Sequence, residues 1–196
     1  MNPRRRRRRD VRVTSEAGTD IRFRTGARWV LEDNGICNRP GQVTNLPAGK
    51  VFVLPQEQTM NGKIVIDGSW EGTILEEPIT FLVEDGLVVS ISGGEAAENI
   101  QSVLDEARVG LRPSRANLIN TVAEFGFGMN PRARISGKRL EDQVVRGAAY
   151  FGFGDNSALG GTASVGVHMR GVMLNPTVEL NDVDLVIEGR ITARKR

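Results

Sequence analysis

Short apolar runs separated by glycine-containing turns occupy both ends of the chain, and a helical stretch separates them. The runs VRVT, DIRFR, VFVLP and GKIVIDGSW lie in the first half, and Asp85 and Gly86 stand between two further runs, which is typical of a hairpin turn. The segment GEAAENIQSVLDEARVG places apolar side chains at helical spacing and predicts a helix that stops at Gly110. Strand patterns return from Gly147 onward. This order predicts one strand-rich α+β domain rather than alternating βαβ units.

The sheet is expected to be mixed or antiparallel and barrel-like, with two or three helices. Ser114 is a candidate cap for a second short helix, and residues 140–145 are a candidate third one. A chain of 196 residues can enclose one core, and no linker long enough to separate two domains is present. We therefore predict a domain over residues 11–196 that follows a basic, disordered tail at residues 1–10.

The net charge of +2 depends on that tail. Residues 4–9 are six consecutive arginines, and without them the chain has 20 basic and 24 acidic residues, a net charge of −4. Such a run could neutralise phosphates. The sequence has no zinc pattern, helix-turn-helix or aromatic RNA-binding motif to accompany it, so we expect no nucleic-acid partner.

Cysteine content and hydropathy bear on the compartment. The single cysteine, Cys37, cannot form an intrachain disulfide. No apolar run approaches the roughly 18 residues that a membrane span requires, and no apolar segment follows the N-terminal arginines as in a secretory signal. A cytoplasmic protein without a membrane partner is expected.

Six ordered motifs carry a family resemblance: VTSEAGTDIRF, NLPAGKVFVLPQE, NGKIVIDGS, AEFGFGMNPRA, GDNSALGG and VHMRGVMLNPTV. Together they resemble the catalytic, C-terminal domain of the aminopeptidase T-type metallo-aminopeptidases, whose superfamily includes the iron-dependent 2,5-dihydroxypyridine dioxygenases. The likeness covers roughly residues 11–190, and the separate N-terminal domain of full-length relatives has no counterpart in it. The resemblance implies an aminopeptidase-like fold with a metal site of five side chains.

Three of the five metal-ligand positions that the resemblance implies are substituted. Lys50 stands in PAGKVF and Arg170 in HMR where the family has carboxylates, and Tyr150 stands in GAAYFGFGDN where it has a histidine. Glu124 and His168, the only histidine, keep the family residue types. The formal charge of the five positions rises from −3 to +1.

A divalent ion beside Lys50 and Arg170 would be repelled. Each pair of unit charges about 4 Å apart is worth roughly 4 kcal/mol at an effective dielectric constant near 20, so the repulsion is on the order of 16 kcal/mol. A facial iron triad needs two histidines and a carboxylate, which Tyr150, His168 and Arg170 do not supply. We therefore expect no catalytic metal and no cofactor.

Three functional hypotheses follow. The first is a metal-independent enzyme, with His168, Glu124 and Tyr150 as catalytic acid–base groups and with Lys50, Arg170 and Asn156 as substrate-binding groups. Its substrate is expected to be a small anionic metabolite or a peptide, in a biosynthetic pathway.

The second hypothesis is a non-catalytic binding or assembly protein, in which Lys50, Glu124 and Arg170 form a structural salt-bridge network. The third is a metallo-aminopeptidase with ligands rearranged onto Glu141, Asp142 or Asp155. Under each hypothesis the chain is expected to associate with itself or with a partner subunit, thereby covering exposed apolar surface.

Overall fold

A computed structural model describes residues 9–26, 28 and 30–192. Most of the predicted basic tail lies outside this range. Fifteen strands are found within the described residues: β1 (Asp10–Thr14), β2 (Asp20–Arg24), β3 (Leu31–Asp33), β4 (Lys50–Val53), β5 (Asn61–Ile66), β6 (Ser69–Trp70), β7 (Thr73–Ile74), β8 (Ile79–Glu84), β9 (Leu87–Ser92), β10 (Val122–Gly128), β11 (Ala149–Gly154), β12 (His168–Met173), β13 (Thr177–Leu180), β14 (Val183–Ile187) and β15 (Arg190–Ile191).

The strands form two antiparallel sheets. The first has the order β15-β14-β13-β1-β2-β5-β8-β9, and the second has the order β3-β4-β10-β11-β12-β6-β7. The described part of neither sheet closes on itself, so the protein has two open sheets rather than a closed barrel. The predicted hairpin joins β8 to β9, and its turn residues Asp85 and Gly86 have φ values of 48° and 80°. Two consecutive positive φ values are what an Asp-Gly hairpin turn requires.

The helices lie between β9 and β11. They are α1 (Gly94–Val109), α2 (Pro113–Ala116) and α3 (Arg139–Asp142); one 3-10 turn follows α2 at Asn117–Asn120, and another follows β11 at Ser157–Leu159. The predicted stop at Gly110 is confirmed, because that residue caps α1. Ser114 is not a cap: Arg112 occupies the N-cap position of α2 and Pro113 the first turn, where its missing N–H is tolerated. The third predicted helix is shorter than expected and ends at Asp142.

The two sheets share one hydrophobic core. The Phe23 and Phe125 rings pack edge to face at 5.4 Å across the sheets, and Phe81 stacks on Phe153 at 4.5 Å. Helix α1 adds Ala97, Ile100 and Leu104 to this core. Each sheet therefore buries one face, and the second face of the β10–β11–β12 region is available for a site.

The repeated FGFG motif explains how that region is divided. Strand side chains alternate between the two faces of a sheet. In both copies, at residues 125–128 and 151–154, the phenylalanines pack in or against the shared core. The intervening glycines therefore lie on the opposite face, where they add no side chain. The phenylalanines of the motif therefore pack in the core, and its glycines leave space on the other face of the sheet.

Candidate functional site

Neighbouring strands place the predicted residues on one face of the second sheet. Lys50 begins β4, Glu124 lies in β10, Tyr150 in β11, and His168 and Arg170 in β12. In the strand register, Glu124 stands opposite Gly152, which in turn stands opposite Arg170. The five positions identified from separate motifs are therefore brought together.

Glycines make room for these side chains. A Cβ atom on Gly152 would lie 2.5 Å from Cγ of Glu124 and 3.1 Å from Cε1 of His168. A Cβ atom on Gly126 would lie 2.6 Å from Cε1 of Tyr150. Cβ atoms essentially never lie closer than 3.0 Å to such neighbours, so a larger residue at Gly152 or Gly126 would displace the side chain of Glu124 or Tyr150.

Glu124 is the centre of an ionic network. Its side chain is 1% exposed, and Oε1 accepts a hydrogen bond from Nε of Arg170 and lies 3.3 Å from Nε2 of His168. Burial alone would raise the pKa of Glu124, but the contacts with His168 and Arg170 outweigh it and hold that pKa below its usual value. Glu124 is therefore a carboxylate whose charge Arg170 balances.

His168 is oriented by a backbone contact. Its Nδ1 lies 2.6 Å from the carbonyl oxygen of Asp155, which can only accept, so Nδ1 carries the hydrogen. Nε2 faces Glu124 and donates to it only when the ring is protonated on both nitrogens. The arrangement thus couples a proton on His168 to the Glu124 carboxylate.

Lys50 is outside the Glu124–Arg170–His168 network. The residue is 8% exposed, and its Nζ donates to Oε1 of Gln143 at 3.0 Å. No carboxylate of residues 9–26, 28 or 30–192 lies within 4.0 Å of this Nζ. Burial, followed by the charge of Arg170, lowers the pKa of Lys50 against the opposing effects of Glu124 and Asp33. The prediction that Lys50, Glu124 and Arg170 form a salt-bridge network is wrong for Lys50, which forms no salt bridge with another described residue.

Tyr150 lies beneath the site. Its side chain is fully buried, its ring centroid is 5.3 Å from Nζ of Lys50, and its hydroxyl has no hydrogen-bond partner in the described structure. Burial raises the pKa of Tyr150, so the hydroxyl keeps its proton. The ring is placed to shape the surroundings of Lys50, and proton donation by Tyr150 to a substrate stays a prediction.

Asn156 and Asp155 organise the loop that borders His168. Oδ1 of Asn156 accepts the Ala163 N–H at 2.9 Å, and the Asp155 carboxylate accepts N–H groups of Val165 and Gly166. Burial would raise the pKa of Asp155, but these bonds and those from Ser157 lower it to about 2. The amide oxygen of Asn156 is committed to the loop, and its substrate-binding role stays a prediction.

A pocket of about 540 Å³ opens over this face. Five of the six predicted residues line it together and are accessible to one ligand: Lys50, Glu124, Asn156, His168 and Arg170. This volume matches a small metabolite or the end of a peptide. The loop between β3 and β4 forms part of the pocket wall, where Val43 is 93% exposed.

Sequence reasoning missed three neighbours of the site. Asp33, which pairs with Lys50 across β3 and β4, lines the pocket and brings the formal charge of the predicted set from +1 to zero. Gln143 binds Lys50, and Glu71 accepts the backbone N–H of Arg170 at 2.6 Å. The PAGKVF motif identifies Lys50, but nothing in the sequence pairs it with a residue 17 positions earlier or 93 positions later.

Comparisons with known proteins agree with this architecture. A model of the family described as NicX, 2,5-dihydroxypyridine 5,6-dioxygenase, matches residues 3–193. The chain belongs to this family. The 2,5-dihydroxypyridine 5,6-dioxygenase of Pseudomonas putida KT2440 is 26% identical over 201 residues, which cover 94% of this chain and 55% of that enzyme. The predicted superfamily is confirmed.

Two solved structures share the fold. The Pseudomonas putida 2,5-dihydroxypyridine dioxygenase superposes with a TM-score of 0.83 at 23% identity, covering 95% of this chain and 55% of that one. AmpT from Thermus thermophilus superposes with a TM-score of 0.66 at 17% identity, covering 96% and 51%. The chain therefore spans about half the length of the NicX-family and AmpT proteins that it matches.

The residues present do not fit the iron or other divalent ion that the superfamily implies. Lys50 and Arg170 offer only N–H donors, and Tyr150 is fully buried with its proton retained. Glu124 already accepts from Arg170 beside His168. This donor set lacks the anionic and neutral ligands that a divalent ion requires, so we derive no step through a metal.

The rearranged ligand set does not form a cluster either. Glu141 and Asp142 bind the side chain and backbone of Ser136, and the Asp155 carboxylate binds backbone N–H groups of its own loop. Among the described residues, no group of three or more His, Cys, Asp or Glu side chains is placed to hold a metal ion.

None of the helices described is long and apolar enough to span a membrane.

Proposed function

We propose that this NicX-family chain is a metal-independent enzyme that binds a small anionic metabolite or peptide in the pocket over β4, β10, β11 and β12. One observation carries the proposal: Lys50 lines the pocket, and among the described residues its side chain has a hydrogen bond only to a neutral amide and no salt bridge. A ligand carboxylate would supply the missing counter-charge. Arg170 lies at the same pocket and provides the second positive group.

Proton transfer in this proposal depends on His168 and Glu124. His168 lines the pocket, and its Nδ1–H is fixed by the Asp155 carbonyl, so Nε2 is the nitrogen that exchanges a proton. When His168 is protonated on both nitrogens, its Nε2–H donates to the Glu124 carboxylate until a substrate accepts the proton. The positive charges of Lys50 and Arg170 stabilise negative charge that develops on the substrate.

Ligand-observed NMR on chelator-treated protein tests the binding step, with lactate, succinate and glycylglycine as probes. Lactate or succinate is expected to bind, and Lys50→Met is expected to remove binding because it deletes the unpaired cation. Lys63→Met is the matched control, since Lys63 is exposed on β5. Absence of binding by all three probes, or equal binding by Lys50→Met, would contradict the proposal.

The chemical step is tested with pyruvate, whose methyl hydrogens are acidic. In heavy water the protein is expected to exchange these hydrogens for deuterium, and His168→Gln is expected to slow the exchange on the order of 100-fold or more while lactate still binds. Unchanged exchange in both His168→Gln and Glu124→Gln would end the acid–base assignment.

A non-catalytic binding protein is the second candidate. The observation that favours it is the Glu124–Arg170–His168 network, in which every charge is balanced without a ligand. Binding of lactate without any exchange on pyruvate would select this candidate over the enzyme.

A further inference from the structure

Lys50 has the surroundings of a nucleophilic amine. Its Nζ lies 5.3 Å and 5.6 Å from the ring centroids of Tyr150 and Phe52, and its hydrogen bond is to the side-chain oxygen of Gln143. Nε2 of Gln143 is buried and has no hydrogen-bond partner among the described residues, and rotation of this amide would let it donate to an uncharged amine. The site can therefore hold Lys50 in either protonation state.

The charges around Lys50 act on its pKa in opposite directions, and burial is the largest effect. Arg170 repels a proton on Lys50, and the carboxylates of Glu124 and Asp33 oppose it from outside salt-bridge distance. Burial adds to the repulsion, and the net effect is a lowered pKa for Lys50. A lysine that is desolvated beside another cation is the arrangement that activates amines toward carbonyl groups.

From this geometry we infer that Lys50 forms a Schiff base with the carbonyl group of a small 2-oxo acid whose carboxylate lies against Arg170. The inference rests on the proposed anion pocket and names its substrate class. A 2-oxo acid places its carbonyl carbon directly beside its carboxylate, and Lys50 and Arg170 line the same pocket, so such a molecule offers one group to each side chain.

The step balances without a co-reactant. The carbon–nitrogen double bond forms, the carbon–oxygen double bond breaks, and the oxygen leaves as water with the two protons that the uncharged amine gives up. Nothing is oxidised or reduced. In this step His168 carries one of these protons to the departing oxygen on Nε2, because Nδ1 is held by the Asp155 carbonyl and the ring lines the same pocket.

Borohydride trapping tests the inference directly. The full chain is incubated with pyruvate, reduced with sodium borohydride, digested and mapped by mass spectrometry. The chain has four lysines, Lys50, Lys63, Lys138 and Lys195, so the site is assigned without ambiguity. One reduced adduct on Lys50 is expected, and it should be absent from Lys50→Arg and retained in Lys63→Arg.

A second measurement uses the wild-type chain and no 2-oxo acid. It therefore applies when the substrate is an oxo acid other than pyruvate, or when a Lys50 variant folds poorly. Formaldehyde with cyanoborohydride methylates uncharged amines and is small enough to enter the pocket. At pH 7 the wild-type Lys50 is expected to react on the order of tenfold faster than exposed Lys63 and Lys138. Lys50 reacting more slowly than both, or a pyruvate adduct on another lysine, would overturn the inference.

Lactate separates this failure from failure of the proposed function. It has the carboxylate of pyruvate but no carbonyl group, so it tests the anion pocket alone. Lactate binding without a trapped pyruvate adduct would reject the Schiff base and leave the anion-binding enzyme intact. Loss of both would reject the two together.

Discussion

Lys50 and Arg170 carry the same charge but have different partners. Arg170 is fixed on both sides, because its backbone N–H binds Glu71 and its guanidinium binds Glu124. The Lys50 side chain has a hydrogen bond only to the neutral side chain of Gln143 among the residues described. At the residue scale, Arg170 is a cation that is already paired with a carboxylate, and Lys50 is the one without such a pair among the described residues.

Glu124 is expected to matter for stability irrespective of catalysis. Glu124→Gln removes the carboxylate between Arg170 and His168, and breaking a buried pair leaves an uncompensated charge that costs about 3 kcal/mol. Urea denaturation measures the change in the free energy of unfolding. Glu84→Gln, on the exposed side of β8, is the control and should be neutral. A loss in Glu124→Gln as small as in the control would contradict the network.

Tyr150→Phe is expected to keep or increase the stability of the fold. The Tyr150 hydroxyl is buried without a hydrogen-bond partner in the described part of the chain, and an unsatisfied buried polar group costs about 1–3 kcal/mol. Because folding raises the pKa of Tyr150, the wild type should also lose stability as pH rises through the unfolded value near 10, and Tyr150→Phe should lose less. Thermal unfolding from pH 8 to pH 11 measures both effects. A marked loss of stability in Tyr150→Phe at pH 8 would show that the hydroxyl has a partner.

Strands β10 and β11 illustrate how far sequence reasoning reaches at the scale of elements. Alternation in FGFG was visible as a repeat, but which residues face the core depends on register, and register is set by long-range pairing. The turn at Asp85 and Gly86 is predictable from the sequence because a hairpin turn depends on local backbone preferences. The cap at Ser114 and the helix over residues 140–145 differ from the structure, because the ends of short helices depend on tertiary contacts more than on propensity.

Gly152→Ala tests the site-facing glycines of β11. The added Cβ would meet Glu124 at 2.5 Å, so we expect a loss of about 1–3 kcal/mol and of lactate binding. Gly110→Ala is the matched control, because Gly110 has a right-handed backbone and only one atom within 4 Å, at 3.9 Å. Equal binding by Gly152→Ala and wild type would show that the Glu124 side chain has room to move.

The loop after β11 should respond to acid through Asp155. A folded pKa of about 2 means that this carboxylate stabilises the fold fully above its unfolded pKa near 4 and loses that effect as pH falls toward 2. The contribution is on the order of 1 kcal/mol, reduced by solvent screening. Asp155→Asn is therefore expected to lower stability at pH 7 and to flatten its dependence between pH 4 and pH 2. An unchanged acid profile of unfolding would contradict this.

At the scale of the whole molecule, the family resemblance located five residues that the fold brings to one face. The motifs identified where each residue sits, because they follow the chain order shared with the NicX family. The positions of Asp33 and Gln143 beside Lys50 cannot be predicted from the sequence, since they depend on strand pairing and on a helix end far along the chain. Charge counted from motifs alone therefore overstated the positive character of the pocket.

Self-association stays a prediction. Ile36, Val43 and Leu46 on the loop between β3 and β4 are 59%, 93% and 75% exposed, and an interface would cover such groups. Sedimentation equilibrium is expected to show an oligomer, and a compact monomer at every concentration would contradict it.

The central claim is that Lys50 and Arg170 replace the divalent ion of this superfamily. Its most direct test is metal content after anaerobic equilibration of the full chain with iron(II), manganese(II) or zinc(II), followed by removal of unbound ions and elemental analysis. We predict substoichiometric metal, unchanged in His168→Ala. One bound ion per chain that disappears in His168→Ala would contradict the account.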